Sequence, residues 1–399
     1  MVHEFRSHPL KSLYLTFELT TTLLFRLPSW VLGNLPRTLR PRQSWSLKKS
    51  VLIKVVDRFH LVLGRTDTLL FFGDHQTVKE GPDVKHVWVE PTPHLMNTEI
   101  RKWASAAEVV PATIPGYWID KENTSTGIGA PPGPGEKVIY SLHGGAYIRV
   151  SASPHDIAAN IGRGLLEHCT DVHRVFAIEY RLSKHLPDEP RHPFPAALLD
   201  ALAGYVYLTD TVGFAPENII IEGDSAGGNL ALALVRYLVE NAGLIKGLPV
   251  PPEALLLLSP WVDPSDIAVP PGSRANFNMA SDYIGPPEGP IALYARRAFF
   301  GPLAHVPNGL LNPYIAPGCA DMRMPRVSFE GFPRTMIVAG EAEMLVDQIN
   351  ILVRRMRRDL GEKVLYYEAR DAVHDFIALP FCEPERTLAL AAISDWLGE

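Results

Sequence analysis

The chain has 399 residues, 46% hydrophobic and 21% charged, so it is long enough to bury a large core and too apolar to be disordered. Its net charge of −6 is uneven: residues 1–65 hold 11 Lys/Arg against 3 Asp/Glu, leaving an acidic body that makes nucleic acid an unexpected partner and a basic head suited to an anionic membrane surface. Cys169, Cys319 and Cys382 are too few and too scattered for a disulfide framework or a zinc site, which points to a reducing compartment, cytoplasmic or at the cytoplasmic or ER membrane face.

The first predicted element is a helix in "KSLYLTFELTTTLLFRLPSWVL". Lys11, Glu18, Thr22, Arg26 and Ser29 fall in a wedge of about 80° on a helical wheel, and the rest is apolar or Thr. A membrane span needs ~20 apolar residues, and Glu18, Arg26 and Pro28 interrupt this one. No small-x-small cleavage site follows closely, which argues against a signal peptide. Two readings of residues 1–83 stay open: a lid over an active site, or peripheral membrane contact through residues 11–35.

From residue 84 onward, strand-like and helix-like runs alternate. "VKHVWVE" and "EVVPATIPGYWI" read as the first strands, followed by "KVIYSL", a helix near 154–168, "RVFAIEY" and a helix opening at "HPFPAALLDALAGYVYL". "NIIIEG", the helix "NLALALVRYLVENAG" and "ALLLLS" continue the series, which ends with "TMIVAG", "MLVDQINILVRRMRRDLG", "KVLYYE" and a helix near 385–397. Short apolar strands that do not alternate, separated by helices, predict a mostly parallel α/β sheet of about eight strands with helices on both faces. Residues 84–399 thus read as one catalytic domain. Its Pro- and Gly-rich stretch at about 263–330 is too long for a structureless loop, so it reads as a lid insertion with short helices of its own.

"GDSAGG" fits Gly-x-Ser-x-Gly at Gly223, Ser225 and Gly227, between a strand and an apolar helix. That context holds a Ser in a tight, exposed turn, and a Cβ at 223 or 227 would collide with the neighbouring strand or helix. A serine nucleophile needs N–H donors where the oxyanion forms. "LHGGAY" follows a strand and supplies them: the expected donors are the amides of Gly144, Gly145 and Ala226, with Tyr147 a candidate pocket residue. His143 opens this loop and is expected to shape it.

These motifs, with "EYRLS", "LSPW", "NPYIAP" and "VHDF" in the same order and spacing, resemble the hormone-sensitive lipase family of α/β-hydrolases from about residue 137 to the C-terminus. The resemblance implies a serine esterase without cofactor or metal, lidded by the N-terminal segment and by the insertion between the sixth and seventh strands. Two departures stand out. Ala146 replaces the third glycine after the His, adding a methyl near the oxyanion, and "KHLPDEPR" lengthens a surface loop.

The base must come from the loop after the last strand, at the carboxyl edge of the sheet, and His374 lies there. The acid that orients it must lie in the loop after "TMIVAG". Glu341 is expected to turn to solvent and Asp347 to sit one turn into a helix, where the dipole favours a carboxylate. Glu343 occupies the turn itself and fits the family pattern Gly-x-x-acid-x-Leu-x-Asp, so it is the expected acid, with Asp347 the alternative. The expected substrate is a small lipophilic, short-acyl ester. A non-catalytic ligand receptor on the same fold, or an amide or carbamate hydrolase, is the rival; His374 argues against the receptor, which would lack it.

Overall fold

The computed structural model describes residues 3–66, 75–78, 80–81, 83–265 and 272–398. At the N-terminus α1 (Leu10–Thr21), a π-helical turn (Thr22–Arg26) and α2 (Leu27–Asn34) run on without a break, and α3 (Leu47–Thr66) follows. Next come β1 (Lys85–Val89), α4 (Thr98–Ala106), β2 (Ile114–Asp120) and β3 (Lys137–Leu142). α5 (Ala159–His168), β4 (Val172–Ile178) and α6 (Ala196–Val206) lead to β5 (Ile219–Asp224), α7 (Ala226–Glu240) and β6 (Ala254–Leu258). After α8 (Arg274–Asn278) and α9 (Pro290–Phe300) the chain closes with β7 (Arg334–Gly340), α10 (Val346–Leu360), β8 (Val364–Ala369) and α11 (Glu385–Gly398).

Among the described residues, eight strands form one sheet in the order β1-β2-β4-β3-β5-β6-β7-β8. β1 and β2 pair antiparallel at one edge and all pairs from β4·β3 onward are parallel. The inner parallel strands are mostly apolar because both faces are covered, and β6 is apolar at every position. In β6, Leu255 and Leu257 pack with α6, α7 and α10, while Ala254, Leu256 and Leu258 pack with α5 and α11. The fifth helix starts at Ala159 rather than near 154, since Ser153 and Asp156 use their side chains to cap turns before it.

The insertion between β6 and β7 carries α8 and α9 as short helices of its own. The N-terminal segment lies on the α5/α11 side, where Trp45 and Ile53 join the core. The long surface loop folds back on itself through a bridge between Lys184 and Arg191. The C-terminal ends of β3, β5, β7 and β8 all open towards one edge of the sheet, which is where loops from different strands can meet.

Candidate active site

β5 ends at Asp224 and α7 begins at Ala226, leaving Ser225 to make the whole turn with φ 49° and ψ −115°. A non-glycine residue holds such angles only when its surroundings impose them. Here the Ser225 N–H donates to Leu258 O at 2.9 Å and its carbonyl accepts the Trp261 N–H at 2.8 Å. The flanking glycines let the helix press this close: a Cβ at Gly223 would strike Gly227 O, and one at Gly227 would strike Leu142 O.

His374 reaches that turn from the loop after β8. Its Nε2 lies 3.0 Å from Ser225 Oγ, and the ring is buried. On its other side, Nδ1 faces Glu343 Oε1 at 3.9 Å. Among the described residues neither atom has another hydrogen-bond partner and both are buried, so each has the other to satisfy it. The remaining Glu343 oxygen accepts from Ser259 Oγ at 2.6 Å and from the Gly340 N–H at 2.7 Å, which locks the carboxylate in the turn.

Asp347 is not brought to the histidine. It stands in the first turn of α10 and accepts the Ala275 N–H at 3.1 Å, tying α8 to the helix start. Glu341 departs from the expectation of a solvated side chain. It is half-buried and accepts the Asp371 N–H at 3.0 Å, bracing the histidine loop.

Two carboxylates that sequence reasoning passed over adjoin this centre. Asp282, in the insertion, accepts N–H bonds from Met344 at 2.7 Å, Tyr283 at 2.9 Å and His374 at 3.3 Å, so one buried side chain holds both the acid loop and the base loop. Burial pushes its carboxyl up to about 6. Asp375, with φ 44°, places Oδ2 3.0 Å from His374 Nε2, the same nitrogen that faces Ser225. Burial works against a charge on His374, but the Asp375 and Glu343 carboxylates outweigh it and hold the imidazole well above its ordinary range. "VHDF" displayed Asp375 openly; Asp282 had no local signal, because its partners lie about 60 and 90 residues further along the chain.

The loop after β3 corrects one of the expected oxyanion donors. Gly144 donates its N–H to Asp224 Oδ1 at 2.9 Å and is buried, so it does not face the cavity. A Cβ at 144 would strike that same carboxylate, which is why the position is glycine. The open amides sit one residue on: Gly145 and Ala146 line the cavity, both at positive φ, and neither N–H has an acceptor among the described residues. Ala226, at the N-terminus of α7, carries the third. His143 bonds locally, with Nδ1–H donating to Gly144 O at 2.8 Å and its ring stacked on Tyr180; burial lowers its pKa to about 4. Tyr147 is also corrected: it is buried away from the cavity, stacked on Phe299 with its hydroxyl on Asn229 Oδ1 at 2.9 Å, so it fixes the loop.

Ser225 and His374 open into a cavity of about 810 Å³. One wall is α3, through Val56, Phe59, His60 and Leu63; another is the insertion, through Tyr283, Ile284 and Ile291. Both segments expected to form a lid therefore contribute lining, and most of it is apolar.

A buried serine–histidine–carboxylate line at the carboxyl edge of this sheet, beside a strand-loop with open amides, defines a class of α/β-hydrolase. The family model described as an alpha/beta hydrolase fold matches residues 139–378, more than half of the chain. The chain is similar to the esterase LipU of Mycobacterium tuberculosis, 28% identical over 269 residues that span 66% of this chain and 78% of that protein. It also matches an esterase of Acinetobacter venetianus, 30% identical over 221 residues, 53% of this chain and 58% of that protein. Among solved structures, EstE5 soaked with p-nitrophenyl butyrate aligns with a TM-score of 0.55 at 23% identity, covering 92% of this chain and 97% of that one. A hormone-sensitive lipase from a metagenome library aligns with a TM-score of 0.54 at 24% identity, covering 77% and 93%. The chain belongs to the α/β-hydrolase fold family and is a serine ester hydrolase.

Proposed function

We propose that Ser225 is the nucleophile, His374 the base and Glu343 the acid of a two-step hydrolysis of lipophilic, short-acyl esters. The observation that carries this reading is the 3.0 Å contact of Ser225 Oγ with His374 Nε2 at the floor of the cavity. The Oγ proton passes to Nε2 as Oγ bonds the ester carbon, and the oxyanion settles on the Gly145, Ala146 and Ala226 amides. Collapse breaks the ester C–O bond, and Nε2 returns the proton to the departing alcohol. A water then gives its proton to Nε2 as it attacks the acyl carbon; collapse breaks the C–Oγ bond, releases the acid, and Nε2 returns the proton to Ser225 Oγ. Glu343 keeps the Nδ1 proton in place and stabilises the imidazolium.

The apolar lining supports a lipophilic ester, and the Ala146 methyl beside the oxyanion position supports a short acyl group. Ser225→Ala should lower turnover of p-nitrophenyl butyrate by more than about 10⁴-fold and abolish labelling by a fluorophosphonate. Full turnover in that variant would overturn the mechanism, and preference for palmitate over butyrate in the wild type would overturn the short-acyl reading.

The partner expected for residues 11–35 is a membrane surface, and the side-chain distribution supports peripheral contact. The polar wedge turns inward: Glu18 is buried and pairs with Arg58 at 2.5 Å and Arg26 at 3.0 Å. The apolar side faces out, with Leu13, Phe17, Leu24, Phe25, Leu32 and Leu35 exposed by 53–66%. An amphipathic helix that faces its apolar side outward and carries a basic surplus suits an anionic lipid interface. Among the described residues no helix is long and apolar enough to cross a membrane. The three cysteines are free and buried, which supports a reducing, cytoplasm-facing location.

A further inference from the structure

Arg149 follows the oxyanion loop by one turn, its N–H donating to Gly145 O at 3.2 Å, and its side chain lines the catalytic cavity. Among the described residues no carboxylate pairs with it and no acceptor takes its guanidinium protons. The carboxylates that share the cavity wall are committed elsewhere: Asp224 to Gly144, Asp375 to His374, Asp347 to Ala275, Asp263 to Ser265 and Asp156 to Ala158. Its neighbours add no negative charge. His60 stands beside it, neutral because burial and the Arg149 charge lower its pKa to about 3, and its Nδ1 is itself buried without a partner. Tyr283 stacks near His60 at 5.1 Å and gives its hydroxyl proton to His374 O at 2.9 Å.

A cation withdrawn from bulk water is costly unless something compensates it, and among the described residues nothing does. The fork of a guanidinium is matched by the two oxygens of a carboxylate or phosphate. Position adds to the argument, since Arg149 is held to the same short loop that carries the Gly145 and Ala146 amides. An ester seated on those amides therefore lies in the cavity that this cation lines. We propose that Arg149 is a substrate-recognition residue and binds an anionic group, carboxylate or phosphate, that the ester carries in addition to its scissile bond. The inference rests on the serine esterase reading and narrows it: the substrate is an amphiphilic ester with one charged oxygen-rich end, and the apolar walls take the rest.

The test compares kcat/KM for matched charged and neutral esters in the wild-type full chain, Arg149→Met and Arg149→Gln. p-Nitrophenyl hemiglutarate against p-nitrophenyl butyrate places a carboxylate on the acyl side. 4-Acetoxybenzoate and 4-acetoxyphenyl phosphate, each against phenyl acetate, place a carboxylate or a phosphate on the alcohol side. The charged-to-neutral ratio should fall about ten- to a hundredfold in at least one pair, carried by KM, and that pair names the anion and its side. Equal ratios in wild type and both variants for all three pairs would overturn the assignment, as would a wild type that disfavours every charged ester. Fluorophosphonate labelling of Ser225 in each protein separates the two ideas: labelled, folded variants with unchanged ratios remove the Arg149 role alone, whereas an unlabelled wild type removes the serine mechanism.

Discussion

Asp375 puts a carboxylate on the His374 nitrogen that faces Ser225, the one proposed to accept its proton. With Oδ2 3.0 Å from His374 Nε2, it stabilises the imidazolium and opposes the neutral ring that acts as base. The other groups facing the ring are Glu343, Asp282, Asp224 and His60; burial and the neighbouring carboxylates hold the Asp224 carboxyl well above its ordinary range, so the charge that raises the ring comes from Asp375 and Glu343. The sign follows directly: a base whose pKa is raised loses activity from a higher pH downward. Asp375→Asn should therefore shift the acidic limb of the kcat/KM profile of p-nitrophenyl butyrate to lower pH by about one unit. A limb that stays in place, or moves up, would show that Asp375 does not govern the base. At this scale the motifs made Ser225 and His374 legible, because a glycine-bounded serine and a late loop histidine leave few alternatives. The Gly144 amide was misjudged for a physical reason: a peptide N–H can face either the substrate or a neighbouring carboxylate, and only the position of Asp224 decides which.

The insertion does more at the level of elements than cover the cavity. Asn278, at the end of α8, donates to Glu341 O at 2.9 Å and Glu343 O at 2.7 Å, and Asp282 gathers the amides of Met344 and His374. These contacts clamp the β7–α10 and β8 loops against each other, which matters because Glu343 and His374 come within 3.9 Å without a tight hydrogen bond. Asp282→Ala strands three buried N–H groups and should cost about 2–4 kcal/mol of stability, read as a lower thermal midpoint. Its kcat should drop about tenfold as the two loops lose their common anchor, while Ser225 stays labelled by fluorophosphonate. An unchanged kcat with a lowered midpoint would mean that the clamp serves folding alone. The order of strands and helices was legible because parallel strands covered on both faces are mostly apolar runs, and amphipathic helices such as α10 lie between them. The clamp was not, since its partners are separated by 60 residues or more and no periodicity links them.

For the whole molecule, α3 joins two surfaces. Its Arg58 holds the inward wedge of α1 through Glu18, and its Val56, Phe59 and Leu63 line the cavity. An interface that receives the exposed Leu24 and Phe25 would therefore lie on the same segment that walls the site, a suitable arrangement for an enzyme drawing lipophilic esters from a bilayer. In flotation with vesicles of about 3:1 phosphatidylcholine to phosphatidylserine, the full chain should rise with the lipid, more weakly on pure phosphatidylcholine. A Leu24→Glu, Phe25→Glu double variant should lose at least about tenfold in partitioning while keeping its rate on soluble p-nitrophenyl butyrate. Absence of flotation, or a dimer that the double variant dissociates without any lipid binding, would assign the apolar face to something other than a membrane. Composition and motif order by themselves determined the α/β class, the acidic body with its basic head, and Ser225 and His374 as the proposed nucleophile and base, because each depends on local pattern or simple counting. Tertiary structure alone decided which carboxylate meets His374, which amides stay open, which side of the N-terminal helix faces out and that Arg149 lines the cavity with no carboxylate partner among the described residues. Each of those depends on what a residue distant in the chain does with the same hydrogen-bonding group or charge.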